Sequence, residues 1–360
     1  MMKARALLCA IALVAIAACG KKKSEEAPTG TAAVNTPEPG TKPAEPVGPD
    51  PKLVERGRYL TNVMGCGFCH MPVGPNGPDT TRAFAGGLEV TEAFGTWRSP
   101  NITPHKGSGI GGWTDEQIIT AVREGVRPDG GKLAPIMPYP FYNRLTDDDA
   151  KALVAFLRTV PAVDNVVAKS EVKLPHVPVP KPANLPDDTA DPVKHGEYLA
   201  TIMHCTMCHT PLKPDFTPDM SKQFAGGMEF EMPPVFGTGK LYASNITSDP
   251  VTGIGKWSAE DIAKAVKTMM RPNGKPILGP MMFYQTGWAQ MEEGDIAAVA
   301  AYVKQLAPVK NKVKPSMFKP AGPPPGPPAD GAAPGAAPTA GEKHGSAQTN
   351  EDAAKEFAAR

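Results

Sequence analysis

The chain has 360 residues, room for two ordinary domains once terminal segments are set aside. Thirty-eight basic against thirty-seven acidic residues leave a formal charge of +1, which gives no electrostatic basis for binding nucleic acid. The six cysteines are all absorbed by an N-terminal apolar segment and two short motifs, so none remains for a structural disulfide.

Residues 1–18 read as an export signal: Lys3 and Arg5 supply the positive end, and the apolar run from Ala6 to Ala18 is short for a bilayer span. The ending Ile16-Ala17-Ala18-Cys19-Gly20 resembles the lipobox of bacterial lipoproteins, which implies that Cys19 becomes a lipidated first residue on the periplasmic side of a bacterial membrane. An ordinary cleaved signal is the alternative. Gly20, where an aspartate would resemble an inner-membrane retention signal, favours the outer membrane. Residues 19–49 have no apolar periodicity and are rich in proline, alanine and threonine, as a tether would be.

Asp50 and Pro51 then look like the N-cap and first residue of a helix running through Val54, Gly57, Tyr59 and Leu60 toward Cys66-Gly67-Phe68-Cys69-His70. A second start at Asp191 and Pro192 leads through Gly196, Tyr198 and Leu199 to Cys205-Thr206-Met207-Cys208-His209. Each motif reads C-x-x-C-H, the attachment pattern of c-type haem. Sulfurs three residues apart on one turn can form thioethers with the two haem vinyl groups, and the next residue gives iron its proximal nitrogen. A thioredoxin-like redox pair or half a zinc site fits less well, since each motif brings its own histidine inside its own copy of a repeat.

The repeat extends well beyond the motifs. Phe84-Ala85-Gly86-Gly87 recurs as Phe224-Ala225-Gly226-Gly227, and Asn101-Ile102-Thr103 as Asn245-Ile246-Thr247. Gly109-Ile110-Gly111-Gly112-Trp113 matches Gly253-Ile254-Gly255-Lys256-Trp257, and Arg127-Pro128-Asp129-Gly130 matches Arg271-Pro272-Asn273-Gly274. Capping boxes, Thr114 with Gln117 and Ser258 with Asp261, open a helix in each copy, with Pro128 and Pro272 expected to stop them. A last helix begins at Thr146, with Asp149 in the reciprocal capping position, and its counterpart carries Ile296, Val299, Tyr302 and Val303. No alternating strand pattern competes, so the expected class is all-α, with domains at residues 50–181 and 191–319, a linker at 182–190 and a proline-, alanine- and glycine-rich tail at 320–360.

An electron-transfer haem needs a sixth ligand downstream. In the first copy, Pro135-Ile136-Met137-Pro138-Tyr139-Pro140 offers Met137 on a loop that prolines fix. In the second, Pro280-Met281-Met282-Phe283-Tyr284 offers two thioethers; aligning the flanking proline and tyrosine selects Met282, and Met281 stays open. His105 is expected in a loop role and His204 is badly placed for the distal side, while His176, His195 and His344 are expected to face solvent.

Together these motifs resemble the cytochrome c subunits of membrane-bound alcohol, aldehyde and gluconate dehydrogenases. The resemblance implies a cytochrome c fold in each copy, with the helix glycines Gly57 and Gly196 admitting the last helix at a close crossing against Phe156 and Tyr302. Glycine inside a helix costs about 1 kcal/mol relative to alanine, so such a crossing would offset it. The expected cofactors are two covalent haem c groups. The expected role is non-catalytic electron transfer between a dehydrogenase and a respiratory acceptor, with redox proteins and, through the anchor, a membrane as partners. The relatives commonly have three haem domains and this chain has two motifs. A dihaem cytochrome c peroxidase is the alternative, against which stands a methionine at the same place in both copies.

Overall fold

The computed structural model describes residues 48–321 other than 76, 184–186 and 233. Cys19, the tether to residue 47, His344 and the tail from residue 322 lie outside the described residues. Among the described residues, no helix is long and apolar enough to cross a membrane.

The first half runs α1 (Pro51–Met64), α2 (Cys66–Cys69), the short hairpin β1 (Val73–Gly74) and β2 (Gly77–Pro78), β3 (Glu89–Glu92), β4 (Gly95–Arg98), α3 (Asp115–Glu124), α4 (Tyr139–Tyr142), α5 (Asp147–Leu157) and β5 (Glu171–Val172). The second half repeats the order: α6 (Pro192–Ile202), α7 (Cys205–His209), β6 (Glu229–Glu231), β7 (Gly237–Tyr242), α8 (Ala259–Thr268), α9 (Gln285–Trp288), α10 (Glu293–Lys304) and β8 (Met317–Pro320). Asp50 accepts from the Lys52 N–H and Asp191 from those of Val193 and Lys194, so both helix starts are capped as their sequences indicate. Both capping boxes form. The helices they open end sooner than the prolines require, at the left-handed residues Gly125 (φ 67°) and Met269 (φ 54°).

α1 crosses α5, and α6 crosses α10, at the expected glycines. A Cβ on Gly57 would lie 1.9 Å from the Ala152 carbonyl oxygen and 2.8 Å from Phe156 Cβ; on Gly196 it would lie 1.9 Å from the Ala298 oxygen and 3.0 Å from Tyr302 Cβ. Behind these crossings Leu60, Val63, Leu153, Val154, Leu199, Ile202, Ile296 and Val299 form one buried apolar core.

The all-α expectation needs correction. Each half carries a three-stranded antiparallel sheet, β3-β4-β5 in the first and β6-β7-β8 in the second. The strands are short, and the third comes from the strap that leaves the last helix: Thr96 pairs with Glu171, and Lys240 with Met317. Periodicity cannot reveal a two-residue strand that pairs across more than seventy residues.

Asp149 also departs from expectation. Its N–H is capped by the Thr146 hydroxyl at 3.1 Å, but its carboxylate does not return the bond. It accepts instead from Arg56 Nε and Nη2 at 2.8 and 2.9 Å, and from the Tyr198 hydroxyl of the other half at 2.6 Å. The arrangement is reciprocal. Tyr59 donates to Asp295 at 2.5 Å, and where the first half has Arg56 the second has His195, whose Nε2 meets Asp295 and Nδ1 meets Asp187, each at 2.8 Å. His195 therefore does not face solvent; it is 8% exposed in a junction between halves.

Burial opposes the His195 imidazolium, but hydrogen bonds to Asp295 and Asp187 and the charge of both carboxylates outweigh it, raising its pKa above the ordinary histidine value. A group whose folded pKa is raised contributes stability that is complete below the unfolded value of about 6.5 and is lost as pH rises through the folded value. The thermal midpoint of the wild type should thus decline as pH climbs through and above that range. His195→Gln should flatten this part of the profile in a calorimetric pH series; an unchanged slope would remove His195 as its source.

Candidate haem sites

In each half a residue in the left-handed region turns the chain from the first helix into the C-x-x-C-H turn: Gly65 (φ 71°) before α2 and His204 (φ 47°) before α7. No disulfide joins the four motif cysteines. Burial pushes the thiols up, Cys66, Cys205 and Cys208 to about 12 and Cys69 to about 11. Thiolates are thereby suppressed, which is the opposite of what a thioredoxin-like redox pair requires.

Both motif histidines are buried, and each ring is fixed through one nitrogen. His70 Nδ1 lies 2.7 Å from the Pro100 carbonyl oxygen, and His209 Nδ1 2.7 Å from that of Ser244. A carbonyl only accepts, so Nδ1 carries the proton and Nε2 keeps a free lone pair. Burial lowers the pKa of both imidazoles, which holds them in the neutral form that can ligate a metal.

The remaining repeat motifs build the clamp that holds those carbonyls. Phe84 (φ 67°) and Phe224 (φ 61°) sit in the left-handed region, a conformation that costs a non-glycine residue about 1–2 kcal/mol. Their rings, edge-on to Phe156 and Tyr302, supply compensating packing. Two residues on, the Gly86 N–H donates to the His70 carbonyl at 2.9 Å and that of Gly226 to the His209 carbonyl at 2.7 Å. A Cβ on Gly86 would lie 2.5 Å from the Pro100 oxygen, so only glycine admits both contacts at this positive φ.

Asn101 Oδ1 accepts from the Thr103 N–H and hydroxyl, and its Nδ2 donates to the Val163 carbonyl; Asn245, Thr247 and Val309 repeat the set. The strap then returns a second asparagine. Asn165 Nδ2 donates to the Ala85 carbonyl at 2.8 Å and Asn311 Nδ2 to that of Ala225 at 2.9 Å. Asn165 and Asn311 follow the repeated Asn-Ile-Thr loops at similar spacing, and that spacing is the sequence signal for their role.

Downstream, Met137 packs half-buried against the core in a turn where its N–H bonds the Ala134 carbonyl at 3.2 Å. The same turn recurs at Met282, whose N–H bonds the Gly279 carbonyl at 3.0 Å. Met281, however, packs against the buried core as Met137 does. Turn geometry pairs Met137 with Met282, and packing pairs it with Met281. The second pair lies on a 3-10 turn, Pro280–Tyr284, so the helix-free loop of the first half is not repeated.

Other histidines have structural roles. His105 Nδ1 accepts from the Ser108 N–H. His176 is not a solvent-facing ring, for it stacks on Tyr139 at 5.0 Å with Nδ1 3.2 Å from the Leu133 carbonyl oxygen. His204 is buried between Tyr142 and Tyr284.

A paired-thiol turn, a buried neutral histidine with Nε2 free, and a methionine loop downstream form a donor set that fits covalent haem c, and the fold around it is that of a c-type cytochrome. The family model described as cytochrome c matches residues 54–161. The chain is 33% identical over 284 residues to the fructose dehydrogenase cytochrome subunit of Gluconobacter japonicus, across 73% of this chain and 55% of that protein. It is 31% identical over 290 residues to the cytochrome c subunit of a quinone alcohol dehydrogenase of Gluconacetobacter polyoxogenes, across 75% of this chain and 59% of the other. A diheme cytochrome c-type protein of Cereibacter sphaeroides is 30% identical over 284 residues, 74% of this chain and 92% of that one. The chain belongs to the cytochrome c family, with electron-transfer rather than catalytic subunits among its relatives. It spans a little over half the length of the two dehydrogenase subunits.

Proposed function

We propose that this protein is a dihaem electron carrier. One haem c is attached at Cys66 and Cys69 and ligated by His70 and Met137, the other at Cys205 and Cys208 and ligated by His209 and Met282. The observation that carries this reading is the duplicated proximal clamp, in which a backbone carbonyl fixes the proton on Nδ1 of each motif histidine at 2.7 Å. A haem c held this way supplies a one-electron ferric/ferrous couple, and methionine ligation sets it at a relatively high potential. The chain's own residues hold the histidine neutral, orient its Nε2 and pack apolar side chains around the site.

The similarity to dehydrogenase cytochrome subunits supports a dehydrogenase as electron donor and a respiratory acceptor downstream. Export to the periplasmic side of a bacterial membrane and lipidation at Cys19, with the outer membrane favoured, complete the reading; labelling with radioactive palmitate that survives Cys19→Ser would refute the anchor. The peroxidase alternative draws no support from the relatives, and both halves present the same clamp rather than one entry site and one turnover site.

Cys205→Ala/Cys208→Ala, expressed with a haem-attachment system, should lose the mass of one haem while the first remains covalently bound. Retention of both haems would overturn the assignment.

A further inference from the structure

α1 ends on Asn62, Val63 and Met64, directly before Gly65 and the first attachment turn. The last carbonyls of a helix have no partner inside it, and where they are buried something outside must donate to them. The Gly65 N–H turns back to the Asn62 carbonyl at 3.2 Å. Val63 and Met64, both buried, are served by side chains. Trp288 Nε1 of the second half donates to the Val63 carbonyl at 2.9 Å. The Tyr142 hydroxyl donates to the Met64 carbonyl at 3.3 Å, and His204 Nε2, again from the second half, lies 3.4 Å from the same oxygen.

The donor is held firmly. Trp288 is 5% exposed and stacks on Tyr284 with centroids 4.9 Å apart. α9, which carries it, lies so close to α1 that a Cβ on Gly287 would meet the Asn62 oxygen at 2.3 Å. Duplication makes the arrangement informative. Tyr142 and Trp288 hold equivalent places, each four residues before the N-cap of the last helix of its half, Thr146 and Glu292. Had each half capped its own first helix, Trp288 would serve the end of α6. Instead both side chains converge on the end of α1.

We propose that Trp288 is a positioning residue of the first haem site, supplied by the second half, which caps the helix leading into Cys66 and thereby raises the potential of the haem attached there. This rests on the two-haem reading above. The carbonyl end of a helix is the negative end of its dipole. Negative charge near a haem favours the ferric state, which carries one more positive charge than the ferrous state. An N–H on the Val63 carbonyl, three residues before Cys66, offsets that negative end, and its loss lowers the potential.

The test uses the full haem-loaded chain. Mass and the far-red absorption of ferric iron bound to a thioether are measured first, to establish two haems with both methionines in place. A spectroelectrochemical titration then resolves two one-electron waves, and the wave that survives in Cys205→Ala/Cys208→Ala marks the first haem. Trp288→Phe keeps an aromatic ring against Tyr284 and removes the donor. It should shift that wave to lower potential, its reduction equilibrium falling on the order of two- to fivefold, the range expected of a charge at a helix terminus, while the other wave stays. Gly287→Ala, which drives α9 off Asn62 and leaves the indole intact, should shift the same wave in the same direction. Two haems with the first wave unmoved in either variant, or with the second wave moved as far, would overturn the role of Trp288 and leave the two-haem reading standing. A wild-type chain without two haems would overturn both.

Discussion

Gly57→Ala and Gly196→Ala should each destabilise the protein strongly, by similar amounts. The added carbon would lie 1.9 Å from a backbone carbonyl oxygen in both cases, and backbone cannot rotate away as a flexible side chain can. Overpacking of this kind costs about 1–3 kcal/mol and occasionally more, whereas the gain in helix propensity from glycine to alanine is only about 1 kcal/mol. The steric term wins. Thermal unfolding of the haem-loaded chain should show a midpoint several degrees lower for each variant, and an unchanged or higher midpoint would mean that the helices do not meet at these glycines.

Met137→Ala should have the largest spectroscopic effect. Loss of the thioether opens one coordination position, so half of the far-red absorption should vanish, one haem should become high-spin, and that haem's potential should fall. The reduced variant should bind one carbon monoxide per chain. Unaltered spectra would exclude Met137 as a ligand. The same measurement on Met281→Ala and Met282→Ala separately decides between the two thioethers that turn geometry and core packing rank differently.

The features legible in the sequence are those whose physics is local. C-x-x-C-H specifies its chemistry within five residues, and Thr114 with Gln117 states a helix start within four. Gly57 and Gly196 were legible for a different reason: a glycine inside a helix is a cost, and a close crossing is what offsets it. Duplication gave further leverage, since a motif that recurs in order marks a structural need.

What stayed hidden is non-local. The third strand of each sheet is contributed by the strap after the last helix, and nothing in two to four residues announces that pairing. Asp149 reads as a helix cap because its neighbours suit one, yet its carboxylate serves Arg56 and a tyrosine from the other half. His195 reads as an exposed helix residue until Asp187 and Asp295 close on it. Tyr284 gives no signal at all: that its ring packs beside Gly65, more than two hundred residues away, depends on how the halves pack.

That packing changes how the two sites are to be regarded. Tyr59 and Tyr198 join the halves through reciprocal bonds to Asp295 and Asp149, which His195 and Arg56 also bind from their own halves, and the loop after Met282 packs on the first attachment turn through Phe283 against Phe68 and Tyr284 beside Gly65. Substitutions in one half should therefore be read at both attachment turns.

The most direct test of the central claim is the intact mass of the purified chain together with carbon monoxide titration of its reduced form. The expected result is a polypeptide carrying two covalent haems, neither of which binds carbon monoxide readily because both axial positions are filled. A mass with fewer than two haems, or ready binding at both irons, would contradict it.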